Sequence, residues 1–353
     1  MQKFLVEHNI KEKVLAVAVS GGADSLALAL MAKEQLSVYG YKIIALTVNH
    51  GLRQSAATEA EYVAEIMRQN DIEHHILVWQ GAKPVTGIEE AARTARYNLL
   101  KQWCDEHSVS VLLVAHHLYD QAETFLMRLQ RGSGLQGLCS MRGVNDFKGL
   151  KIVRPLLQTN PQEMKEYLRK RKIEWIEDES NQDTKYLRNR IRKFIPSFCE
   201  NTDITLERIS ETVINLQSAD DFVETQVETL FSENIKKYGN NVFCFVHGNY
   251  LKWHPEIKFR VLARLCRRQY IPRADSVLQV VQALNHLPFS GVTLGGKEIF
   301  MAYGKVWIVP EMMSKHKDTR EQWKEFIIAN PCYKNEKIPH KARLALLKSA
   351  EEQ

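Results

Sequence analysis

The sequence predicts an α/β protein, in which a doubly wound parallel sheet precedes a smaller, helix-rich C-terminal domain. Strand and helix patterns alternate through the first half, and the first strand, residues 14–19, is a continuous apolar run, as expected of a strand buried on both faces. A glycine-rich loop joins that strand to a helix. The chain has 353 residues, 44% of them hydrophobic, which is too long for one ordinary domain and enough to build two cores.

The elements of the first half follow in a β-α-β-α order. The predicted strands are 14–19, 42–48, 75–79 and 110–115, and the predicted helices are 24–39, 55–70, 87–107 and 120–131. Residues 151–157 and a helix over 161–173 close this domain, and Pro196 marks a break. The alternation favours a parallel sheet because each crossover helix returns the chain to the same edge.

The second half is predicted to be mainly helical. The predicted elements are an acidic helix over 203–233, a helix over 256–270, and a hairpin from 292–299 and 305–309. The sequence beyond Pro310 is charged and predicts a tail with one or two helices. We therefore expect a first domain over 1–197, a helical second domain over 198–310, and a charged tail over 311–353.

Composition restricts the class of protein. No apolar run approaches the ~18 residues that a membrane span requires, and the N-terminal residues do not resemble a secretory signal, so a cytoplasmic protein is expected. None of the six cysteines forms a CxxC pair, which predicts scattered buried thiols rather than a zinc or iron–sulfur site.

Charge is distributed unevenly around the net value of +6. Basic blocks at 151–200 and 251–300 flank an acidic block at 201–250, which indicates either contact with a polyanion or a solvated helical surface. Four arginines recur on one predicted helical face: Arg260, Arg264, Arg267 and Arg268. An exposed basic stripe of this kind suits a phosphate backbone, and a solvated face is the alternative.

The glycine-rich loop has the residues of a phosphate-binding loop: Ser20, Gly21, Gly22, Ala23, Asp24 and Ser25. The glycines let backbone N–H groups approach phosphate oxygens, and the helix that follows contributes its positive N-terminal end. Asp24 would repel phosphate unless a cation, most simply Mg²⁺, lay between them. The alternative is a Gly-Gly turn in which Asp24 caps the helix. The loop lacks the lysine of a Walker motif, which disfavours a P-loop NTPase.

This loop resembles the PP-loop of the ATP pyrophosphatases, which split ATP into AMP and pyrophosphate. Seven further segments resemble one family of that class, tRNA(Ile)-lysidine synthetase: VNHGLR (48–53), ARTARY (92–97), AHHLYDQAET (115–124), RGSGLQGL (131–138), RPLL (154–157), WIEDESN (175–181) and YLRNRIR (186–192). They occur in the family's order over residues 14–197. Asn49 and Tyr119 stand where the family often has aspartate, and a second C-terminal domain of larger members is expected to be absent or replaced.

The resemblance implies a ligase that forms a carbon–nitrogen bond. ATP would adenylate the C2 oxygen of the wobble cytidine of tRNA(Ile), and the ε-amine of free lysine would then displace AMP. The rival predictions are a tRNA sulfur-transferase of the same class, which usually has cysteine pairs, and a non-catalytic tRNA-binding protein.

The resemblance also assigns roles to single residues. Asp24 and Asp120 would hold Mg²⁺, and Asp120 and Glu123 would hold the metal or the lysine ammonium, although the last two also form a capping box. Arg93 suits the α-phosphate, and Arg188 is the expected catalytic arginine. Arg192 shares a helical face with Arg188 and is expected to contact tRNA phosphate.

Three histidines have open roles. His50, His116 and His117 could serve as ligands or bases. Because adjacent residues on a strand point to opposite faces, His116 and His117 are not expected to meet one metal. A packing or hydrogen-bonding role is expected for at least one of them, and no zinc site.

Overall fold

A computed structural model describes residues 1–51, 56–81, 87–177, 187–267, 272–311 and 320–351. The chain divides into two compact units, Met1–Asp220 and Asp221–Gln353. The division therefore falls later than the boundary expected at residue 197.

The first unit is built on a six-stranded sheet. Its strands are β1 (Val14–Ala18), β2 (Lys42–Asn49), β3 (Glu73–Val78), β4 (Val111–Leu113), β5 (Val144–Phe147) and β6 (Leu150–Val153). Its helices are α1 (Gln2–Glu7), α2 (Ala23–Leu36), α3 (Ala56–Gln69), α4 (Ile88–Glu106), α5 (Leu118–Gln130), α6 (Leu135–Leu138), α7 (Pro161–Lys170) and α8 (Leu187–Thr202). A ninth helix, α9 (Leu206–Asn234), begins in this unit.

The strand order, β3-β2-β1-β4-β6-β5, confirms the doubly wound sheet. All neighbouring pairs are parallel except β5 and β6. Alternate residues of β1 face opposite cores: Leu15 and Val17 pack on the side of α2 and α7, whereas Ala16 packs on the side of α4. Both faces are therefore covered, which explains why the strand reads as one apolar run. The edge strand β5 was missed because its two middle residues are exposed.

The predicted break at Pro196 is wrong, because Pro196 lies inside α8. A proline has no N–H to donate to the carbonyl four residues earlier, here that of Arg192. The hydroxyl of Tyr119, on α5, donates a hydrogen bond of 3.3 Å to that carbonyl. A side chain from the neighbouring helix thus replaces the missing backbone donor, and α8 continues.

Changing Tyr119 to phenylalanine should lower the free energy of unfolding by about 1 kcal/mol, since the carbonyl of Arg192 would lose its donor. In a Pro196→Ala background the alanine N–H can supply that bond, so the same change should cost much less. Urea unfolding of the two single variants and the double variant measures the difference. An equal cost in both backgrounds would show that the tyrosine hydroxyl does not compensate for the proline.

The second unit contains a five-stranded antiparallel sheet in the order β7-β8-β11-β10-β9. Its strands are β7 (Lys236–Tyr238), β8 (Val242–Val246), β9 (Val292–Leu294), β10 (Lys297–Ala302) and β11 (Lys305–Pro310). Its helices are α10 (His247–Leu251), α11 (Pro255–Leu265), α12 (Ala274–Leu284), α13 (Arg320–Ala329) and α14 (His340–Glu351). The predicted hairpin is present as β10–β11, but a turn at Gly295 and Gly296 divides its predicted first strand, 292–299, between β9 and β10. The expectation of a helical domain overlooked β7 and β8, which are only three and five residues long.

The C-terminal segment is part of this second fold. Ala342, Ala345 and Leu346 of α14 are buried in one cluster with Trp307 of β11. The described part of the segment expected to be a tail therefore covers one face of the sheet, while α11 and α12 cover the other. Among the helices that the structure describes, none is long and apolar enough to cross a membrane.

Candidate active site

The candidate active site lies where the strand order of the first sheet reverses, between β1 and β4. These two strands pair in parallel, with Ala16 opposite Leu112. The glycine-rich loop follows β1, and His116 and His117 follow β4, so both segments leave the sheet at the same edge. Ligands of doubly wound proteins bind in the crevice at this position.

The glycine-rich loop is shaped by Ser25. Its hydroxyl donates to the Gly22 carbonyl at 3.0 Å and accepts from the Ser20 N–H at 3.0 Å. Gly21 has a φ of +86°, and its carbonyl accepts from the Ile176 N–H at 2.9 Å. No side chain caps the following helix, α2. The first N–H groups of α2 therefore remain available to an anion. The alternative prediction, a turn in which Asp24 caps the helix, is not observed.

Gly21 cannot be replaced without moving its surroundings. An added Cβ would lie 2.7 Å from the Ile176 side chain, in a backbone conformation that favours glycine. Gly40 is a matched control, because its φ is +76° and an added Cβ would meet nothing within 4 Å. Both alanine variants should lose about 1 kcal/mol of stability to the backbone conformation. Only Gly21→Ala should also weaken nucleotide binding, which calorimetry measures. Equal nucleotide affinity in the Gly21→Ala and Gly40→Ala variants would show that the loop does not hold the nucleotide.

His117 connects the loop to α5. Its Nδ1 accepts from the backbone N–H groups of Tyr119 and Asp120, at 3.2 and 3.4 Å, so His117 is the N-cap of α5. Its Nε2 lies 3.4 Å from Asp24 Oδ2 and 3.5 Å from Asp120 Oδ2. Burial would lower the pKa of His117, but the hydrogen bond to Asp24 and the charge of Asp120 outweigh it and raise the pKa. The capping box joins His117 to Asp120, so the box expected between Asp120 and Glu123 is wrong: α5 begins at Leu118, and Asp120 lies within its first turn.

Two carboxylates and two guanidinium groups form one cluster between α5 and α8. Arg188 donates from Nη2 to Asp120 at 2.6 Å and from Nε to Glu123 at 2.6 Å. Arg192 pairs with the same two carboxylates, through a short bond to Glu123 and a contact of 3.4 Å to Asp120. Glu123 is fully buried, whereas 40% of the Arg188 side chain is exposed. The buried carboxylates therefore hold Arg188 with one face directed to solvent.

This cluster changes the sequence-based expectation for Asp120. The Asp120 carboxylate is already engaged by Arg188, by His117 and by the His117 N–H at 3.0 Å, so a direct metal role for Asp120 is not favoured. Burial would raise the pKa of Asp120, but the charges of His117 and Arg188 hold it below its ordinary value. Arg192 pairs with the same carboxylates while 33% of its side chain is exposed, and its phosphate contact with tRNA remains a prediction.

Asp24 fits a divalent cation better. Its Oδ1 is buried and has no hydrogen-bond partner among the described residues, although Oδ2 contacts His117. An unsatisfied buried carboxylate oxygen beside a phosphate-binding loop suits Mg²⁺, which commonly takes one or two carboxylates together with phosphate oxygens. Within the described ranges, no three histidine, cysteine, aspartate or glutamate side chains are grouped to hold a metal by themselves. The residues present fit a cation shared with phosphate.

Arg93 lies on α4, exposed, with its guanidinium 5.2 Å from the centre of the Tyr97 ring. Its charge acts on His116 and on Arg154, both at the candidate site. The structure thus brings Arg93 to the same region as the α5–α8 cluster, and a contact with the α-phosphate remains a prediction.

Arg260, the first arginine of the predicted basic stripe, is not exposed as that prediction requires. Only 4% of the Arg260 side chain is exposed, and it pairs with Glu224 and Glu256, at 3.2 and 2.8 Å. Arg264 pairs with Glu224 and with Glu228, the latter at 2.8 Å. Arg260 and Arg264 share one face of α11 as predicted, but acidic residues of α9 neutralise that face. The helix predicted over 256–270 ends at Leu265, so Arg267 lies beyond it. Arg267 is exposed and its tRNA role remains a prediction, whereas Arg268 lies outside the described residues.

Arg260→Ala should therefore lower the free energy of unfolding. Its loss would leave Glu224 and Glu256 without their buried partner, which should cost about 2 kcal/mol of unfolding free energy. Arg267→Ala, on an exposed position, should change stability by less than about 0.5 kcal/mol. Thermal unfolding compares the two, and equal shifts would contradict the structural role of Arg260.

Sequence reasoning gave no role to Arg154, although the segment RPLL was recognised. Arg154 is buried and donates from Nε to His116 Nδ1 at 3.2 Å. The available signal was an arginine directly after the mainly apolar strand β6, because such a charge is buried only with partners. His117 was named without a defined role because either ring nitrogen could have served as ligand or base.

Comparison with known proteins agrees with the geometry. A family model described as a PP-loop domain matches residues 1–198. A solved structure, the U34-tRNA thiolase NcsA from Methanococcus maripaludis with its [4Fe-4S] cluster, is similar with a TM-score of 0.53 and 19% identity, over 61% of this chain and 76% of that one. At this identity the likeness shows the fold alone.

Curated relatives named tRNA(Ile)-lysidine synthase are more similar. The protein of Wolbachia pipientis wMel is 37% identical over 75% of this chain, and that of Orientia tsutsugamushi (strain Boryong) is 35% identical over 77%. This chain spans 63% and 62% of their lengths. The Bradyrhizobium diazoefficiens relative is 33% identical, and the match covers 87% of this chain and 92% of that protein. The chain therefore belongs to the tRNA(Ile)-lysidine synthase family, with a PP-loop domain over residues 1–198.

Proposed function

We propose that this protein is a ligase that makes lysidine in tRNA(Ile), using ATP and free lysine. In the first step the C2 oxygen of the wobble cytidine attacks the α-phosphate, and pyrophosphate leaves with the electron pair of the broken bond. In the second step the ε-amine of lysine attacks C2, AMP leaves, and the amine loses a proton. The observation that most directly supports ATP chemistry is the buried Asp24 Oδ1, which has no hydrogen-bond partner among the described residues and lies beside the uncapped start of α2.

The residues of the loop bind and orient the nucleotide in this proposal. The N–H groups at the start of α2 hold the phosphates that leave as pyrophosphate, and Ser25 keeps the loop in its shape. Asp24 would hold Mg²⁺, which neutralises charge on those phosphates when bound. His117 contacts Asp24 through Oδ2, so Oδ1 would be the oxygen that holds the metal.

The α5–α8 cluster places a cation near the reacting groups. Asp120 and Glu123 orient Arg188, whose exposed face would meet the negative charge that develops on the α-phosphate. Arg188 keeps its charge, because the two carboxylates outweigh its burial and raise its pKa. Arg93 would contribute a second guanidinium from α4. Among the described arginines of the predicted stripe, the exposed Arg267 is the candidate for contact with tRNA phosphate.

The test separates the two steps by their products. With tRNA(Ile) and ATP alone, the proposal predicts a single turnover of pyrophosphate release and no AMP. Addition of lysine should then release AMP and permit further turnovers. A tRNA(Ile) whose wobble cytidine is replaced by uridine should give neither product. Turnover that is insensitive to lysine would contradict the proposal and would point to transfer of another group, such as sulfur.

A further inference from the structure

His116 has a proton position that is fixed by its neighbour. Arg154 Nε lies 3.2 Å from His116 Nδ1. A guanidinium can only donate hydrogen bonds, so Nδ1 must accept, and the proton of the neutral ring is on Nε2. Since Nε2 forms no hydrogen bond with any described residue, the imidazole presents an unused donor.

Arg154 is itself held rigidly. It is 8% exposed, and its Nη1 donates to the Arg142 carbonyl at 3.0 Å and to the Asn145 side-chain oxygen through a short bond. Three hydrogen bonds to three different groups leave the guanidinium little freedom. The orientation of His116 therefore follows from the β5–β6 edge of the sheet.

His116 also remains neutral. Burial lowers its pKa to about 4, and the positive charges of Arg154, Arg93 and Arg188 act in the same direction, against the charge of Asp120. At neutral pH the ring neither repels the surrounding arginines nor loses its fixed tautomer. A neutral donor in a half-buried, cationic setting suits an oxygen on which negative charge builds during a reaction.

His116 lies at the same edge of the sheet as the glycine-rich loop, where the phosphates are proposed to bind. Ala16 pairs with Leu112, and Ser20 and His116 each lie four residues further along their chains. Both residues are thus at the carboxyl edge of the sheet, at the point where the strand order reverses. Arg93 and Arg188, the guanidinium groups expected to meet the α-phosphate, are close enough to influence His116 electrostatically.

We propose that His116 is a further catalytic residue, whose Nε2–H donates a hydrogen bond to an α-phosphate oxygen as the cytidine C2 oxygen attacks, and that Arg154 is the positioning residue that fixes its tautomer. The inference rests on the proposed function. His116 keeps its proton throughout: the new bond joins C2 oxygen to phosphorus, and the departing pyrophosphate takes the electrons of the broken bond.

Three variants of His116 distinguish the role of the Nε2–H donor from that of the Nδ1 atom, which accepts the hydrogen bond from Arg154. Asparagine offers Arg154 an acceptor near the Nδ1 position but has no donor at the Nε2 position, whereas the glutamine amide reaches the Nε2 position. His116→Ala and His116→Asn should slow single-turnover pyrophosphate release by about 10²- to 10³-fold, and His116→Gln should retain a rate within about tenfold of wild type. The Kd for ATP should change little, because the donor acts on developing charge.

Wild-type rate in His116→Asn, or equally slow rates in all three variants, would overturn the donor role. A second readout does not depend on turnover: ¹⁵N NMR of the wild-type protein should show a protonated Nε2 and an unprotonated Nδ1, and Arg154→Met should populate the other tautomer. Protonated Nδ1 in the wild type would overturn the positioning role. If the wild type releases no pyrophosphate with tRNA(Ile), the proposed function has failed, and the NMR result still decides the tautomer.

Discussion

Changing Asp24 to asparagine is expected to abolish ATP-dependent turnover, with a loss of about a thousandfold or more. The amide is the same size but binds Mg²⁺ poorly, and a bound metal supplies several kcal/mol of charge stabilisation in a transition state. Single-turnover pyrophosphate release with saturating tRNA measures the effect.

The fold should survive this change. The amide oxygen can still accept from His117 Nε2, which lies 3.4 Å from Asp24 Oδ2, so the thermal midpoint should shift by only a few degrees. Asp146→Asn is a control at an exposed position of β5 outside the site, where the carboxylate accepts from the Gly149 N–H in the following turn. Near wild-type turnover in Asp24→Asn would show that the metal is held elsewhere.

Changing Arg188 to alanine is expected to slow the adenylation step by about 10²- to 10³-fold with little change in ATP affinity. A group that meets only the charge of the transition state affects the rate rather than ground-state binding. Rapid-quench measurement of adenylated tRNA gives the rate, and calorimetry gives the Kd.

Arg192→Ala is the matched control for Arg188→Ala. Both arginines pair with Asp120 and Glu123, and their side chains are similarly exposed, 33% and 40%. Both variants should therefore lose similar stability, because each leaves a buried carboxylate with one partner fewer. Only the Arg188 variant should lose the adenylation rate. Equal losses of rate would show that the cluster matters for structure and that neither guanidinium meets the substrate.

The parallel sheet and the phosphate-binding loop were predictable because their signals are local. A strand buried on both faces is a continuous apolar run, and the loop between β1 and α2 contains two consecutive glycines, of which Gly21 has a φ of +86°. The glycine-rich loop and the segment containing Asp120 could also be assigned to one edge of the sheet, since both follow parallel strands.

The pairing of charges was not predictable, because it depends on which helices pack together. Arg260 and Arg264 have the spacing of a binding stripe, yet Glu224 of α9 meets both. In the same way Arg192 shares its face with Arg188, and the two carboxylates of α5 engage both arginines. Helical periodicity fixes which side chains share a face, but not what that face contacts.

Pro196 shows a third kind of limit. A proline in a helical pattern normally predicts an end or a kink, because one backbone hydrogen bond is lost. The donor that replaces it, the Tyr119 hydroxyl, is distant in sequence and lies on another helix. Tyr119 stands where the family often has aspartate. Its hydrogen bond to the Arg192 carbonyl gives it a structural role that requires no part in the chemistry.

The most direct test of the central claim is the mass of the wobble nucleoside after reaction. A tRNA(Ile) transcript would be incubated with the protein, ATP and lysine labelled with ¹⁵N only at the ε-amine, then digested to nucleosides for mass spectrometry. The account predicts a cytidine heavier by one lysine less one water, with the heavy nitrogen retained in the fragment that contains the base. Unmodified cytidine, or a nucleoside that has gained sulfur and no label, would contradict it.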